Sequence, residues 1–403
     1  MKTEGTDKKE MTAKEKEAAK QDKRRYPLLY KAARAAAWFP LRKYQFQTDK
    51  LPKTDEPYIV MANHLTEADI IMVARAFPQH MYYVAGEHLR RSKIGGLIEW
   101  AQHPIFEFKG AGAVEVVREI TRRVKRGNNV IIFPEGSRSF NGETIKLPLS
   151  AAKIVKMAKC GLVTYRIEGG YFVAPRWAYT VRRGPVRGVI VHHYTAEEVK
   201  AMSAEQLLDA INTDLHENAY ERQRKERFLY KGERLAEGLE NYLVKCPVCG
   251  EFDTMVTADN EFYCTKCGHR GIYREDGFLE GKDLVYDNVY DWGKWAEEQT
   301  TAYINEKPED AVIFGDRNVK LYLVTNDHRQ IDIFDGEVLG YKDRLEMNGE
   351  VFPFEKIIAM DMLYFGKTLL FTIDNKHLGI TGERYHAIKY QKLYDAYMES
   401  HKE

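Results

Sequence analysis

Between about residues 51 and 200 short apolar runs alternate with helical stretches, and this alternation limits the chain more than any other feature. The runs are Tyr58 to Met61, Met81 to Ala85, Asn129 to Phe133, Val163 to Ile167 and Val186 to His192. Strands of this length, separated by helices, predict an α/β domain with a mainly parallel sheet. In open sheets of that kind ligands bind beyond the carboxyl ends of the strands, so the residues just after each run matter most.

Two polar sequences stand at such ends. The first is Asn63-His64-Leu65-Thr66-Glu67-Ala68-Asp69, directly after Tyr58 to Ala62. A histidine can take a proton from a hydroxyl near neutral pH if a carboxylate holds its ring, and Asp69 is the candidate partner. On an unbroken helix the two would point about 140° apart, so they meet only if the chain turns between them and Asp69 opens the next helix. The second sequence is Pro134-Glu135-Gly136-Ser137-Arg138-Ser139, after the buried-looking Val130 to Phe133. Proline ends the strand, Gly136 permits close backbone approach, and Arg138 carries the planar fork that grips phosphate with two parallel bonds. Glu135 is placed to hold that arginine or the hydroxyls of a substrate.

Taken together, in this order and with 65 residues between Asp69 and Glu135, the two sequences resemble the signatures of the 1-acylglycerol-3-phosphate O-acyltransferase family, Asn-His-x4-Asp and Phe-Pro-Glu-Gly-Thr-Arg-Ser. The resemblance covers roughly residues 50 to 190. It implies that His64 is the general base on the acceptor hydroxyl, which attacks the thioester of acyl-CoA or an acyl-carrier protein, and that Asp69 orients it. It further implies that Glu135, Gly136, Ser137 and Arg138 bind the acceptor phosphate, with Asn63 and Lys109 as further substrate-binding residues. Three departures bear on the acceptor. Ser137 stands for the family's threonine and keeps the hydroxyl. Lys109, after Ile105 to Phe108, replaces an arginine with a point charge, and Thr164 stands where a proline is usual. The implied product is a phospholipid made or remodelled from a lysophospholipid such as 1-acylglycerol-3-phosphate. A non-catalytic lipid-binding scaffold that recruits a protein is the alternative, and a hydrolase using the same base on water is another.

Farther along, Cys246-Pro-Val-Cys249 and Cys264-Thr-Lys-Cys267 are separated by 14 residues. Two such knuckles resemble a zinc ribbon, a closed four-thiolate Zn(2+) site with a structural role; a redox dithiol pair or an iron site is the alternative. The acidic interval with Glu251, Asp253, Asp259 and Glu261 argues against nucleic acid. From about 311 onward come β-rich runs (Val319 to Thr325, Gln330 to Phe334, Thr368 to Ile373) and a terminal helical segment from Arg384 to Glu399, weakly resembling a PH/GRAM-like domain. Fold alone does not give such a module its function, and a protein partner fits its acidic character as well as a lipid does.

The expected order is therefore a basic helical arm over 1–50 that is a candidate membrane-surface segment, the acyltransferase domain over 51–200 and a helical linker over 201–242. A zinc ribbon over 243–275, a linker over 276–310 and the PH/GRAM-like domain over 311–403 complete it. Charge supports the membrane expectation. The whole chain has a formal net charge of +1, yet residues 1 to 200 carry 36 basic and 21 acidic side chains, and the remainder 25 and 39. A cationic first half, with Leu28, Leu29, Trp38 and Phe39 near Lys31, Arg34, Arg42 and Lys43, suits shallow attachment to an anionic membrane surface. No apolar run approaches the roughly 18 residues a spanning helix needs, and the lysine-rich start lacks the apolar stretch of a signal peptide. Paired cysteines at metal-binding spacing suit a reducing compartment, so the expected location is the cytoplasmic face of a membrane.

Overall fold

The computed structural model describes residues 20, 25–90, 92–93, 95–107, 113–325 and 329–401. Seven strands form the first sheet: β1 (Phe46–Thr48), β2 (Tyr58–Ala62), β3 (Met81–Gly86), β4 (Ile105–Glu107), β5 (Asn129–Ile132), β6 (Gly161–Glu168) and β7 (Val186–Tyr194), in the order β1-β7-β6-β2-β5-β3-β4. All neighbours run parallel except β6 and β7. The sheet is thus mixed at one place, where the chain turns back after β6 through residues 169–185 without a long helical crossover.

Central strands read as continuous apolar runs because both faces are covered. Every residue of β2 and β5 is buried. Side chains alternate between faces, so Ile59 and Met61 join a core with Val130, Ile132 and Leu162, whereas Val60 and Ala62 face Ile131, Val163 and Tyr165. Helix Leu149–Ala158 closes the first face with Ala151, Ala152, Val155 and Ala158. The stretch expected to bridge two domains also contributes here: helix Ala204–Leu215 buries Leu207, Ile211 and Leu215 in the same core. Glu205 and Asp209 are exposed on the opposite face, Asp214 turns toward β6 and β7, and three apolar positions at helical spacing suffice to dock the helix.

The ribbon has four short antiparallel strands, β8 (Met255–Ala258), β9 (Glu261–Cys264), β10 (Arg270–Tyr273) and β11 (Leu279–Glu280). An 18-residue helix, Val289–Glu306, occupies much of the expected linker. Asn288 caps it, and Trp292 is buried against Phe262 of the ribbon with its indole Nε1 donating to the Lys245 carbonyl at 3.0 Å. One large aromatic anchors the helix to the ribbon.

The last part is a curled antiparallel sheet of seven strands, β12 (Phe314–Val324), β13 (Gln330–Gly340), β14 (Arg344–Met347), β15 (Glu350–Pro353), β16 (Ile357–Leu363), β17 (Thr368–Ile373) and β18 (Lys376–Gly382), ordered β15-β14-β13-β12-β18-β17-β16. Helix Ala387–Ser400 covers it with Ile388, Tyr390, Leu393 and Tyr394. Among the described residues no helix is long and apolar enough to cross a membrane.

Candidate active site

Because β2 and β5 are parallel neighbours, the residues after both strands emerge side by side at the same edge of the sheet. The chain turns sharply after β2, and Asp69 is the first residue of helix Asp69–Ala76. That turn lets residues five apart meet: His64 Nδ1 lies 2.8 Å from Asp69 Oδ2. The same carboxylate oxygen accepts the backbone N–H groups of Leu65 (2.6 Å) and Thr66 (2.9 Å), and Oδ1 accepts the Thr66 hydroxyl (2.6 Å). Asp69 is completely buried, while the His64 side chain is 26% exposed. An anion so placed at a helix N-terminus and gripped by its own turn keeps the imidazole in the tautomer with hydrogen on Nδ1, leaving Nε2 as the proton acceptor. Phe133, the last residue before Pro134, stacks on the His64 ring with centroids 4.6 Å apart.

Glu135 ties the two loops together. Its Oε1 accepts the backbone N–H of His64 at 2.7 Å and its Oε2 that of Ile145 at 2.9 Å. Burial pushes its carboxyl up to about 8, against the lowering effect of those two N–H groups. Ser139 adds a second tie, donating its N–H to the His64 carbonyl at 3.4 Å. Asn63 is fully buried and exchanges two bonds with Ile167 of β6, Nδ2 to the carbonyl at 2.9 Å and Oδ1 from the N–H at 2.7 Å. The resemblance puts both residues at the substrate, and in the structure both bond to backbone. They fix where His64 stands, which local sequence does not reveal, since their partners lie 10 to 104 positions away.

Gly136 adopts φ +69 and is exposed, so the loop turns where a side chain would be strained. Arg138 approaches Glu67 at 3.4 Å, beside His64 in sequence. Ser137 is half-buried and donates its hydroxyl to Asp361 of β16 at 2.9 Å. Lys109 lies outside the described residues. Thr164 is buried on β6 and donates to Asp214 of helix Ala204–Leu215 at 2.8 Å, a packing contact within the domain. Two residues near the site are not singled out by sequence reasoning. Thr66 has a local signal, a hydroxyl three residues before an aspartate at a helix start. Arg176 has none.

The four cysteines of the ribbon converge, their Sγ atoms all within 4.8 Å of one another. Cys246 and Cys267 are 3.7 Å apart, as are Cys249 and Cys264. Thiolates about 2.3 Å from one tetrahedral ion would be about 3.8 Å from each other, so the set fits zinc. Gly250 and Gly268 close the knuckles at φ +71 and +76, each N–H donating to the carbonyl of the first cysteine of its pair. Four protein ligands leave no position open for substrate.

Part of the chain is similar to known proteins. Residues 18–168 match the acyltransferase family model, a span that ends with β6 and includes both loops. The 1-acyl-sn-glycerol-3-phosphate acyltransferase alpha of Ovis aries is 28% identical over 111 residues, 27% of this chain and 39% of the relative. The 1-acyl-sn-glycerol-3-phosphate acyltransferase of Saccharomyces cerevisiae is 30% identical over 96 residues, 23% of this chain and 32% of the relative. The crystal structure of the LPA acyltransferase PlsC from Thermotoga maritima aligns with a TM-score of 0.40 and 21% identity, covering 51% of this chain and 82% of that one. The chain spans less than half the length of the curated relatives it matches, and the part of it that they share is an acyltransferase-type domain.

Proposed function

We propose that this chain is an O-acyltransferase that moves an acyl group from a thioester donor, acyl-CoA or acyl-carrier protein, to the free hydroxyl of a lysophospholipid, the class to which 1-acylglycerol-3-phosphate belongs. The observation that carries this reading is the His64–Asp69 pair at the end of β2, with Nε2 left for substrate and an arginine-bearing loop beside it. His64 Nε2 takes the proton of the acceptor hydroxyl as that oxygen bonds to the thioester carbonyl carbon. Collapse of the tetrahedral intermediate breaks the carbon–sulfur bond, and the imidazolium returns its proton to the departing thiolate. Asp69 steadies the imidazolium. Arg138 binds the acceptor phosphate.

The remaining parts serve the same chemistry from outside. Cys246, Cys249, Cys264 and Cys267 hold one structural Zn(2+), which supplies cross-linking of the ribbon and takes no part in acyl transfer. The C-terminal module is PH/GRAM-like: a four-strand meander and a three-strand meander joined through β12 and β18, closed by a helix. Trp38 and Phe39, both exposed near Arg42 and Lys43, attach the protein peripherally to an anionic membrane on its cytoplasmic face. Binding of this kind weakens as salt screens charge, so co-sedimentation with anionic liposomes should fall at high salt.

The test is product analysis. Purified protein is incubated with labelled acyl-CoA or acyl-carrier protein and a panel of lysolipids, and the lipids are read by mass spectrometry. A diacyl product that depends on His64 is the expected result; its absence with every donor and acceptor would end the reading.

A further inference from the structure

The loop that carries Ser137 and Arg138 is held from the far end of the chain. Arg176, almost wholly buried, stands between the two parts: its Nη1 donates to the Arg138 carbonyl at 2.9 Å and its Nη2 to the Met362 carbonyl of β16. The same Nη2 lies 3.5 Å from Asp361 Oδ1, which also accepts the Ser137 hydroxyl at 2.9 Å. The guanidinium lies over the Phe140 ring, 4.3 Å from its centre, so the chain just past the loop packs on it as well. Arg176, Asp361 and Met362 all come after residue 168, where the match to the acyltransferase family ends, whereas the loop lies inside it. Beyond Met362 the chain turns through three successive left-handed residues, Tyr364, Phe365 and Gly366, with φ of +48, +63 and +83. Such a run persists only where the surroundings hold it, and here Phe365 stands edge-on to Tyr179 at 5.3 Å.

The hold matters because of what it fixes. The Arg138 side chain springs from the Cα next to the carbonyl that Arg176 grips, so pinning that carbonyl sets where the side chain begins. Two residues earlier, the exposed Gly136 leaves the backbone its widest freedom, and the loop needs an outside hold to present a side chain at a set point. A guanidinium meets phosphate with two parallel bonds only when it is placed to within about 0.5 Å. The joint also binds module and loop to each other. One planar guanidinium reaches both carbonyls at once from fixed directions, which an ammonium on a flexible stem does not. Were the module to move off, Arg176 would lose its ion pair with Asp361 and the Met362 carbonyl while remaining buried, a costly state for a cation.

We propose that Arg176 is a positioning residue of the acceptor site, through which the C-terminal module sets the place of Arg138 and with it the affinity for the acceptor phosphate. This rests on the acyltransferase reading and adds to it that the module is part of the acceptor site.

The experiment follows acyl transfer by the full-length protein in detergent micelles, varying first 1-acylglycerol-3-phosphate and then acyl-CoA, for wild type, Arg176→Lys, Arg138→Ala and Arg138→Ala/Arg176→Lys. In Arg176→Lys the acceptor KM should rise about tenfold while kcat and the donor KM stay near wild type. A merely structural fault lowers the amount of working enzyme, so a fall in kcat with both KM values unchanged overturns the proposal, as does an equal rise in both. The double variant should match Arg138→Ala alone, because Arg176 acts through Arg138; a further rise of about tenfold would show that it does not. If Arg176→Lys fails to fold, Asp361→Ala repeats the test from the module's side, with the same split expected and an unchanged acceptor KM counting against the proposal. Should wild type transfer an acyl group to no lysolipid, the acyltransferase reading fails, and hydrogen exchange decides on the joint alone. Faster exchange at residues 136–139 in the folded variant, with helix Leu149–Ala158 unchanged, then supports the positioning role, and exchange equal to wild type ends it.

Discussion

Two histidine–aspartate pairs in this molecule have the same 2.8 Å separation and opposite surroundings. In the first, the aspartate is the covered member: Asp69 is wholly buried within its own turn, and His64 is open on one side. In the second, His386 is only 12% exposed and Asp253 is 38% exposed. Asp253 also meets Lys389, a lysine 1% exposed that reaches on to Asp316 of β12, so ribbon, sheet and terminal helix are clamped through one cation. The distance between partners therefore says little. A pair suits proton transfer when its imidazole has a face left for substrate and its carboxylate answers to no fixed cation; with the positions exchanged it is a joint.

The largest expected effects test that contrast directly. His64→Ala should lower turnover by about 10²–10⁴-fold with an unchanged unfolding curve, the range a positioned general base supplies. His386→Ala should keep turnover and lose stability instead. If the two variants traded outcomes, the comparison would be upside down. Next in size is Lys389→Met. Removing the cation leaves Asp316, itself largely covered, without its ion pair, and should cost about 3 kcal/mol in denaturant unfolding. A loss within the range of an ordinary surface substitution, about 0.5 kcal/mol, would show that the clamp is ornamental to stability.

How much could be read from the sequence depends on the range of the interactions involved. His64, Asp69 and the Pro134 to Ser139 turn were legible because each comes directly after a strand whose apolar run is unmistakable, and the mixed α/β order rests on the same runs. The cysteine set was legible from its spacing. The helix Val289–Glu306 escaped because its apolar positions, Trp292 and Ala296 among them, are diluted by acidic residues on the outer face. The antiparallel β7 escaped because strand direction is set by the connection, which leaves no mark on the strand itself. The partners of Asn63 and Glu135, and the bond from Ser137 to Asp361, join residues distant in sequence and have no local signature at all.

A smaller effect is expected from the metal. About one zinc per chain should be found, and Cys264→Ser should release it while sparing much of the acyl transfer chemistry, because a closed site offers nothing to substrate. Since Asp253 lies in the ribbon between the two knuckles, the same variant should also loosen its bonds to His386 and Lys389. Faster amide exchange in helix Ala387–Ser400, with exchange around His64 unchanged, would localise that coupling to the joint. Equal loss of protection in both places would mean that the ribbon also braces the active turn.

The last comparison sets Glu135 against Asp253, two carboxylates whose surroundings move them in opposite directions. For Asp253 burial, which raises a carboxyl, is outweighed by the His386 hydrogen bond and the charges of Lys389 and His386, and the net displacement is downward from the ordinary 3.8. For Glu135 burial leads and its two N–H donors do not offset it, so it is displaced upward from 4.5 to about 8. A group depressed on folding stabilises above its unfolded value and loses that contribution as pH falls through the folded one, so the titration of Asp253 matters only in acid, below the ordinary carboxylate range. A group raised on folding does the reverse. The contribution of Glu135 is complete below about pH 4.5 and is lost as pH rises toward 8. Stability measured by denaturant at pH 5, 6, 7 and 8 should thus decline in wild type relative to Glu135→Gln, which cannot titrate, by about 3 kcal/mol over the series. A flat difference for Glu135→Gln would mean that the His64 and Ile145 N–H groups hold an anion, and the tie between the two loops would then be a charge-assisted one, stronger than a neutral carboxyl can make.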